Sequence, residues 1–156
     1  MTSNPTIAIR TATAADIPAL LALERQLPTS AHWSESHYAS FFLPESSCRL
    51  LLVAESNRSA EILGFLVAHH IPPEWELENI AITQASQRTG LGNQLFSALL
   101  REATHSNSDA VFLEVRESNV AARGFYEKAG FHEMGRRKSY YTNPQEDAIV
   151  YRFKLR

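Results

Sequence analysis

A short apolar segment, Ile80-Ala81-Ile82, leads into the loop Thr83-Gln84-Ala85-Ser86-Gln87-Arg88-Thr89-Gly90 and then into a helix that opens Leu91-Gly92-Asn93-Gln94-Leu95. A helix that starts directly after a loop offers backbone N–H groups without helical acceptors and the positive end of its dipole. Gly90 and Gly92 remove side chains where an anion would approach the backbone. The stretch therefore predicts either a diphosphate-binding strand–loop–helix unit or a turn whose glycines serve geometry alone.

Polar side chains inside two apolar strands favour the binding interpretation. Glu78 and Asn79 lie in the predicted strand before the loop, where polar groups are costly to bury without a partner or a task. In the following strand Glu114 shares a face with Phe112, and the other face carries Val111, Leu113 and Val115. A carboxylate in the middle of a buried strand is uncommon, so Glu114 is a candidate site residue.

The hydrophobic periods on either side of this unit predict the order β-α-α-β-β-β-α-β-α-β-β. The predicted elements are a strand at 7–10, a helix from a cap at Thr13 to Pro28, a short helix capped by Ser34, strands at 49–54, 62–70 and 75–83, a helix from 91, a strand at 110–116, a helix at 119–129, and strands at 131–141 and 147–154. A meander followed by a βαβ unit requires an α/β fold with a mixed sheet and helices on both faces.

Composition narrows the class of protein. The chain has 156 residues, 44% hydrophobic and 21% charged, which is typical of one globular domain spanning 1–156. No apolar run approaches the ~18 residues of a membrane span, and residues 1–5 lack the pattern of a secretion signal. The net charge of −2 disfavours nucleic-acid binding, and the single Cys48 fits a reducing compartment. We therefore expect a cytoplasmic protein, a monomer or weak dimer, that binds neither nucleic acid nor membrane.

Several motifs together resemble the Gcn5-related N-acetyltransferase (GNAT) family. They are Asn79-Ile80-Ala81-Ile82, Gln87-Arg88-x-Gly90-Leu91-Gly92, Leu113-Glu114-Val115-Arg116-x-Ser118-Asn119, Tyr126-Glu127-x-x-Gly130-Phe131, Arg136-Arg137 with Tyr140-Tyr141, and Glu146-Asp147-Ala148. The resemblance covers nearly the whole chain and is strongest to members that acetylate the N-terminal alanine of a ribosomal protein. It implies the GNAT fold, with the mixed sheet splayed between strands 4 and 5, and acetyl-CoA as the donor. No cluster of His, Cys, Asp and Glu has metal-ligand spacing, so no metal is expected.

The resemblance also implies a role for individual residues. The backbone of Ile80, Ala81 and Ile82 would hydrogen-bond the pantetheine arm like an added strand, and Asn119 would contact the arm near its thioester. The diphosphate would lie on the loop and helix start formed by Gln87, Arg88, Thr89, Gly90, Leu91, Gly92 and Asn93. Glu114 matches the position of a general base, and Tyr126 matches that of a general acid.

Each catalytic role has a structural alternative. Glu114 could form an ion pair with Arg116 or Arg88, and Tyr126 could be a core aromatic residue. Glu78 is a rival general base and a candidate substrate contact, or a group that anchors the splayed strands.

The acceptor groove is the least defined part of the site. The resemblance places Trp33, Tyr140 and Tyr141 beside a peptide substrate, and the alternative is a hydrophobic rim. Glu74 and Glu76 are interpreted as a solvated strand end that could attract a basic peptide.

The sequence leaves three functions open. The first is acetyl transfer to the free α-amine of a protein N-terminus, in which the amine attacks the thioester directly and no acyl-enzyme forms. Glu114 would take the proton of an amine whose pKa is about 7.7–8.0, a backbone N–H near Ile82 would stabilise the oxyanion, and Tyr126 would protonate the thiolate. The second function keeps acetyl-CoA but acetylates a small-molecule amine or a lysine side chain. The third is a coenzyme A-binding module without catalysis.

Overall fold

A computed structural model describes residues 6–27 and 31–156. Within these ranges seven strands form one sheet, flanked by four α-helices in the predicted order, and no helix is both long and apolar enough to cross a bilayer. The elements are β1 Ile7–Thr11, α1 Ile17–Arg25, α2 Glu35–Ser40, β2 Arg49–Ser56, β3 Ile62–Ile71, β4 Glu74–Ile82, α3 Leu91–His105, β5 Ala110–Arg116, α4 Val120–Ala129, β6 His132–Tyr141 and β7 Glu146–Lys154. Residues 1–5 and Pro28, where α1 is predicted to end, lie outside the described residues.

The sheet has the order β1-β2-β3-β4-β5-β7-β6, and every pair is antiparallel except β4–β5. Helix α3 makes the crossover between the two parallel strands. The parallel pairing is short, because it joins only Glu74–Glu76 to Ala110–Phe112. On its other side β4 stays paired with β3 as far as Ile82. A gap therefore opens between β4 and β5, as the splayed sheet predicts.

The core consists of one apolar layer on each face of the sheet. Leu95 and Leu99 of α3 are fully buried on one face, with Leu113 of β5 and Tyr126 of α4 in the same cluster. The other face buries α1 and α2 against β2 and β3. Fully burying one leucine stabilises the fold by about 1.5–3 kcal/mol, so the amphipathic face of α3 is a main contributor to stability.

Local capping confirms the predicted helix starts. The Ser34 hydroxyl accepts a hydrogen bond from the backbone N–H of His37 at 3.1 Å, which caps α2. Thr13 and Asp16 form a capping box ahead of α1, and the Thr13 N–H donates to the Asp16 carboxylate at 2.8 Å. At the far end of α4, Gly130 takes φ 110°, the left-handed conformation expected of a terminating glycine.

Candidate active site

The loop after β4 ends in a helix start suited to an anion. Gly90 is the N-cap of α3 with φ 87°, and the first helical hydrogen bond runs from the Gln94 N–H to the Gly90 carbonyl at 3.1 Å. The N–H groups of Leu91, Gly92 and Asn93 precede that bond and are the orphan donors of the helix. These donors and the helix dipole fit the predicted position of the diphosphate.

The side chains of the same loop have different environments. Arg88, at φ 63°, and Asn93 are exposed, so both are accessible to a ligand. Leu91 is 3% exposed and packs in the core, which leaves only its backbone for binding. The Gln87 side chain donates to the Ile82 carbonyl at 3.3 Å and Thr89 donates to the Ser86 carbonyl, so these two residues hold the loop in shape.

Replacing Gly90 by alanine should strain the loop without crowding it, because no atom lies within 4 Å of the added Cβ. A left-handed conformation costs an L-residue roughly 1–2 kcal/mol, and asparagine tolerates it better than alanine. We expect Gly90→Ala to lower the free energy of unfolding by about 1 kcal/mol and to weaken coenzyme A binding, with Gly90→Asn less affected. Chemical denaturation and calorimetric titration with coenzyme A measure both quantities. Equal free energies of unfolding for wild type, Gly90→Ala and Gly90→Asn would show that the left-handed conformation at this position causes no strain.

Three carboxylates form an acidic floor beside the gap: Glu76 and Glu78 of β4 and Glu114 of β5. On β4 both glutamates point away from the face that buries Trp75 and Leu77. Burial and the Glu114 charge together raise the pKa of Glu76. Glu76 pairs with His69 of β3 and Phe112 of β5 and is half-buried, so it is not a freely solvated strand end.

Glu78 is the extra residue of a β-bulge, since Val67 pairs with Asn79 and Ala68 with Leu77. Its carboxylate lies 3.2 Å from the Arg49 guanidinium and 3.8 Å from the Nδ1 atom of His69. Burial raises the pKa of Glu78, and Arg49 opposes that shift. Glu78 thus has a structural cation partner, which favours the anchoring interpretation over the rival-base interpretation.

Glu78 also belongs to a set of potential metal ligands that sequence spacing did not indicate. One ligand atom each from His69, Glu76 and Glu78 lies within 4.8 Å of the others. His69 lies on β3 and the two glutamates lie on β4, so only the pairing of these strands brings the imidazole to the carboxylates. Arg49 already supplies positive charge at this place.

Glu114 has an arginine partner, although not one of the two that the sequence offered. The Arg137 Nε atom lies 2.8 Å from a Glu114 carboxylate oxygen, and the side chains are 60% and 10% exposed, respectively. The Tyr140 hydroxyl also faces this carboxylate, and hydrogen bonding to Glu114 raises the pKa of Tyr140. Arg116 instead pairs with Glu146 at 3.2 Å. Glu114 therefore does form an ion pair, but its partner is Arg137 of β6 and not Arg116 or Arg88.

An irregularity in the β6–β7 pair brings Arg137 and Tyr140 to this position. Arg137 pairs with Ala148 and Tyr141 with Glu146, so three residues of β6 stand opposite Asp147 alone. The Asp147 carboxylate accepts hydrogen bonds from the Ser139 N–H at 2.8 Å and the Arg136 guanidinium at 3.0 Å. The bulge is thus held in place from β7.

The predicted groove tyrosines differ in their surroundings. Tyr140 is 50% exposed, and the Arg137 guanidinium lies 5.7 Å from its ring centroid. Tyr141 is half-buried, and the Arg116 guanidinium stacks 4.4 Å from its ring centroid. Burial raises the pKa of Tyr141 to about 12. Both tyrosines lie near Glu114, at the β5 side of the acidic floor.

Trp33 lies on the β4 side of the floor, within an aromatic cluster. Its ring centroid is 4.8 Å from His37 and 5.6 Å from Phe41. Phe41 in turn carries the Arg49 guanidinium 4.9 Å from its ring centroid, and Arg49 contacts Glu78. The chain of contacts links Trp33 to the acidic floor.

A buried carboxylate on α1 fixes this side of the site. Glu24 is 1% exposed and accepts hydrogen bonds from the Asn79 side chain at 2.8 Å and the Trp33 backbone N–H at 3.0 Å. Burial and Glu24 raise the pKa of Tyr38, which packs beside it. Glu24 therefore connects α1, β4 and the segment that carries Trp33.

Glu24→Ala should lower the free energy of unfolding by about 3 kcal/mol, because it leaves buried donors without acceptors and creates a cavity. Chemical denaturation measures the change. Glu102→Ala is the matched control, since Glu102 is an exposed glutamate of α3 and its loss should cost less than about 0.5 kcal/mol. A small effect of Glu24→Ala would show that water satisfies the same donors.

Tyr126 lies on the opposite face of the sheet from Glu114. Its ring is 9% exposed and packs against Phe125, Phe131 and Tyr151. Burial raises the pKa of Tyr126, so its phenol stays protonated. The packing of Tyr126 fits its interpretation as a core aromatic residue. A phenol that stays protonated also suits the role of a proton donor.

Asn119 has a structural task that the sequence analysis did not anticipate. It is the N-cap of α4, where its side-chain oxygen accepts a hydrogen bond from the Ala122 N–H at 3.2 Å. A contact with the pantetheine arm would therefore use the amide nitrogen. Arg137 and Glu24 are site residues to which the sequence assigned no role, because only tertiary structure brings them to the gap.

Comparison with known proteins relates this geometry to a family of enzymes. A family model described as the acetyltransferase (GNAT) family matches residues 17–131. The [ribosomal protein bS18]-alanine N-acetyltransferase of Escherichia coli strain K12 is 34% identical over 140 residues, which cover 86% of this chain and 88% of the relative. The Salmonella typhimurium strain LT2 enzyme of the same name is 36% identical over 142 residues, with coverage of 86% and 88%.

Solved structures agree with the sequence relatives. The crystal structure of the ribosomal-protein-S18-alanine N-acetyltransferase from Escherichia coli matches with a TM-score of 0.82 and 30% identity, covering 96% of this chain and 94% of that one. Ard1 from Thermoplasma volcanium has a TM-score of 0.84 at 22% identity, with coverage of 96% and 98%, and shows the shared fold.

Proposed function

The chain belongs to the GNAT acetyltransferase family, and on that premise we propose that it transfers the acetyl group of acetyl-CoA to the α-amine of a protein N-terminus. The N-terminal alanine of ribosomal protein bS18 is the first acceptor to test. The sequence identity of 34%, over 86% of the chain, to an enzyme named for that acceptor supports this choice. A ribosomal acceptor would also place the protein in the cytoplasm.

The residues present fit acetyl-CoA as the donor, which family membership implies. The edge of β4 past Glu76 has no strand partner within the described residues on its β5 side, so the backbone of Ile80, Ala81 and Ile82 would hold the pantetheine arm. The loop from Gln87 to Asn93 would hold the diphosphate at the start of α3. When bound, acetyl-CoA supplies the thioester whose acetyl group is transferred.

The chain's own groups would move the protons. An α-amine has a pKa of about 7.7–8.0, so much of it is protonated at neutral pH and must lose a proton before attack. The acidic floor would attract this ammonium, and Glu114 would accept its proton directly or through a water. Backbone N–H groups at the end of β4, near Ile82, would donate to the acetyl oxygen. Tyr126 would give a proton to the departing thiolate from the opposite face of the sheet.

The acceptor groove would lie between two walls. Trp33 and its aromatic cluster would form the wall on the β4 side, and Tyr140 and Tyr141 would form the wall on the β5 side. A peptide N-terminus would enter between these walls and place its amine on the acidic floor. Glu78 would contribute negative charge there while Arg49 holds it in place.

One observation favours a second acceptor class. Three carboxylates beside one gap also suit a small polyamine, because two or more ammonium groups could share them. A thiol-release assay with acetyl-CoA separates the classes by comparing an alanine-initiated peptide with spermidine. We expect a higher kcat/KM for the peptide, and turnover of spermidine alone would overturn the N-terminal acceptor.

A further inference from the structure

We propose that, in the free enzyme, the Arg137 guanidinium occupies the place beside Glu114 where the substrate ammonium binds, and that it leaves this place when the ammonium arrives. The inference rests on the proposed function, because it takes Glu114 as the group that receives the amine. It assigns Arg137 as a residue that sets acceptor affinity.

The exposures of the two partners show which of them can move. The Glu114 side chain is 10% exposed and belongs to a central strand, whereas the Arg137 side chain is 60% exposed and lies on the edge strand β6. The 2.8 Å contact is therefore made by a fixed carboxylate and a guanidinium that reaches it from solvent. Arg137 can withdraw without uncovering core residues.

The charges of the floor explain why a cation rests there. Arg49 neutralises Glu78 at 3.2 Å, and Arg137 neutralises Glu114 at 2.8 Å. Glu76 lies between these pairs. Burial and the charge of Glu114 raise the pKa of Glu76, and the two arginines lower it. An arriving ammonium that met Arg137 still in place would meet a like charge, whereas exchange of one cation for the other keeps the charge of the floor constant.

The neighbouring arginine has a different task, which isolates the role of Arg137. Arg136 contacts Glu117 at 2.8 Å and Asp147 at 3.0 Å, and Asp147 also holds the Ser139 backbone. Arg136 thus anchors the bulge from the other side of the strand. Arg137 is left to contact the acidic floor and the Tyr140 ring.

The test compares two substitutions that remove the same charge from the same strand. Arg137→Gln removes the contact with Glu114, and Lys138→Gln removes an exposed cation one residue away. An exposed ion pair is weak, so we expect Arg137→Gln to lower the acceptor KM by about fivefold, with kcat within about twofold of wild type. Lys138→Gln should leave both constants unchanged, and Arg137→Lys should restore the wild-type KM. Because KM equals Kd only when chemistry is slow, calorimetry of the acceptor with coenzyme A present should show the same change.

Three results would overturn the inference. An unchanged or higher acceptor KM in Arg137→Gln would show that Arg137 does not compete with the amine. Equal decreases in Arg137→Gln and Lys138→Gln would show a general charge effect. A lower kcat that Arg137→Lys restores would make Arg137 a support for catalysis.

The test of Arg137 does not depend on which amine proves to be the acceptor. The comparison uses whichever amine the wild-type enzyme acetylates among an alanine-initiated peptide, a lysine peptide and spermidine. Acetylation of spermidine alone would refute the N-terminal acceptor, and the response of its KM to Arg137→Gln would still decide the inference. Acetylation of none of them would overturn both.

Discussion

Replacing Glu114 by glutamine is expected to lower kcat by about 10²–10⁴-fold, the usual contribution of a general base. Glutamine keeps the shape of the side chain but cannot accept the proton of the attacking amine. Glu114 is the floor residue on β5, directly across the gap from the free edge of β4 where the pantetheine arm is proposed to bind. Coenzyme A affinity should stay nearly unchanged, because the diphosphate and arm contacts belong to β4 and α3.

Glu78→Gln is the matched control for this prediction. Glu78 is a second glutamate of the same floor, but Arg49 and His69 already surround its carboxylate. We expect Glu78→Gln to reduce kcat by less than about tenfold. Steady-state kinetics with an alanine-initiated peptide, together with calorimetry of coenzyme A, measures both variants. Full turnover by Glu114→Gln would remove Glu114 from the mechanism, and a loss confined to Glu78→Gln would make Glu78 the base.

Tyr126→Phe is expected to lower kcat by about a hundredfold, because the departing thiolate would lose its proton donor. The substitution removes one oxygen from a ring that packs against Phe125, Phe131 and Tyr151, so the packing should persist. Burial disfavours the charged phenolate and raises the pKa of Tyr126. The acid therefore stays protonated through the working range, and kcat should show no decline from its ionisation below about pH 10.

Tyr151→Phe separates chemistry from structure. The Tyr151 hydroxyl accepts a hydrogen bond from Arg123 at 3.0 Å and donates one to Glu127 at 2.7 Å, so its loss should lower Tm. The kcat of Tyr151→Phe should remain within about threefold of wild type. Equal losses of kcat in the two variants would indicate that both phenols serve packing, and the acid would have to be sought elsewhere.

The fold could be predicted because its signals are local in sequence. The leucines of α3 recur at helical spacing, Gly130 marks the end of α4, and the cap at Ser34 starts α2. The order of elements then restricts the topology. The gap between β4 and β5 followed from the family resemblance, since no residue pattern specifies where parallel pairing stops.

The floor of the site was only partly predictable because its electrostatics depend on contacts between distant residues. Glu114 stood out as a carboxylate in an apolar strand, but its partner Arg137 comes from β6, across a bulge held by Asp147. Glu24 likewise looked like one more helical residue, and only its contacts with Asn79 and Trp33 reveal its role. The proposed acetyl-CoA part of the site was easier to predict from the sequence, because Gly90 and the start of α3 lie in one continuous segment.

Acetyl transfer to an α-amine is tested most directly with one peptide that contains both kinds of amine. The peptide begins with a free alanine and carries a single internal lysine, and it is incubated with the enzyme and acetyl-CoA. Tandem mass spectrometry then locates the added acetyl group. The proposed function predicts acetylation of the N-terminal α-amine alone. Acetylation of the lysine side chain alone, or of neither amine, would contradict it.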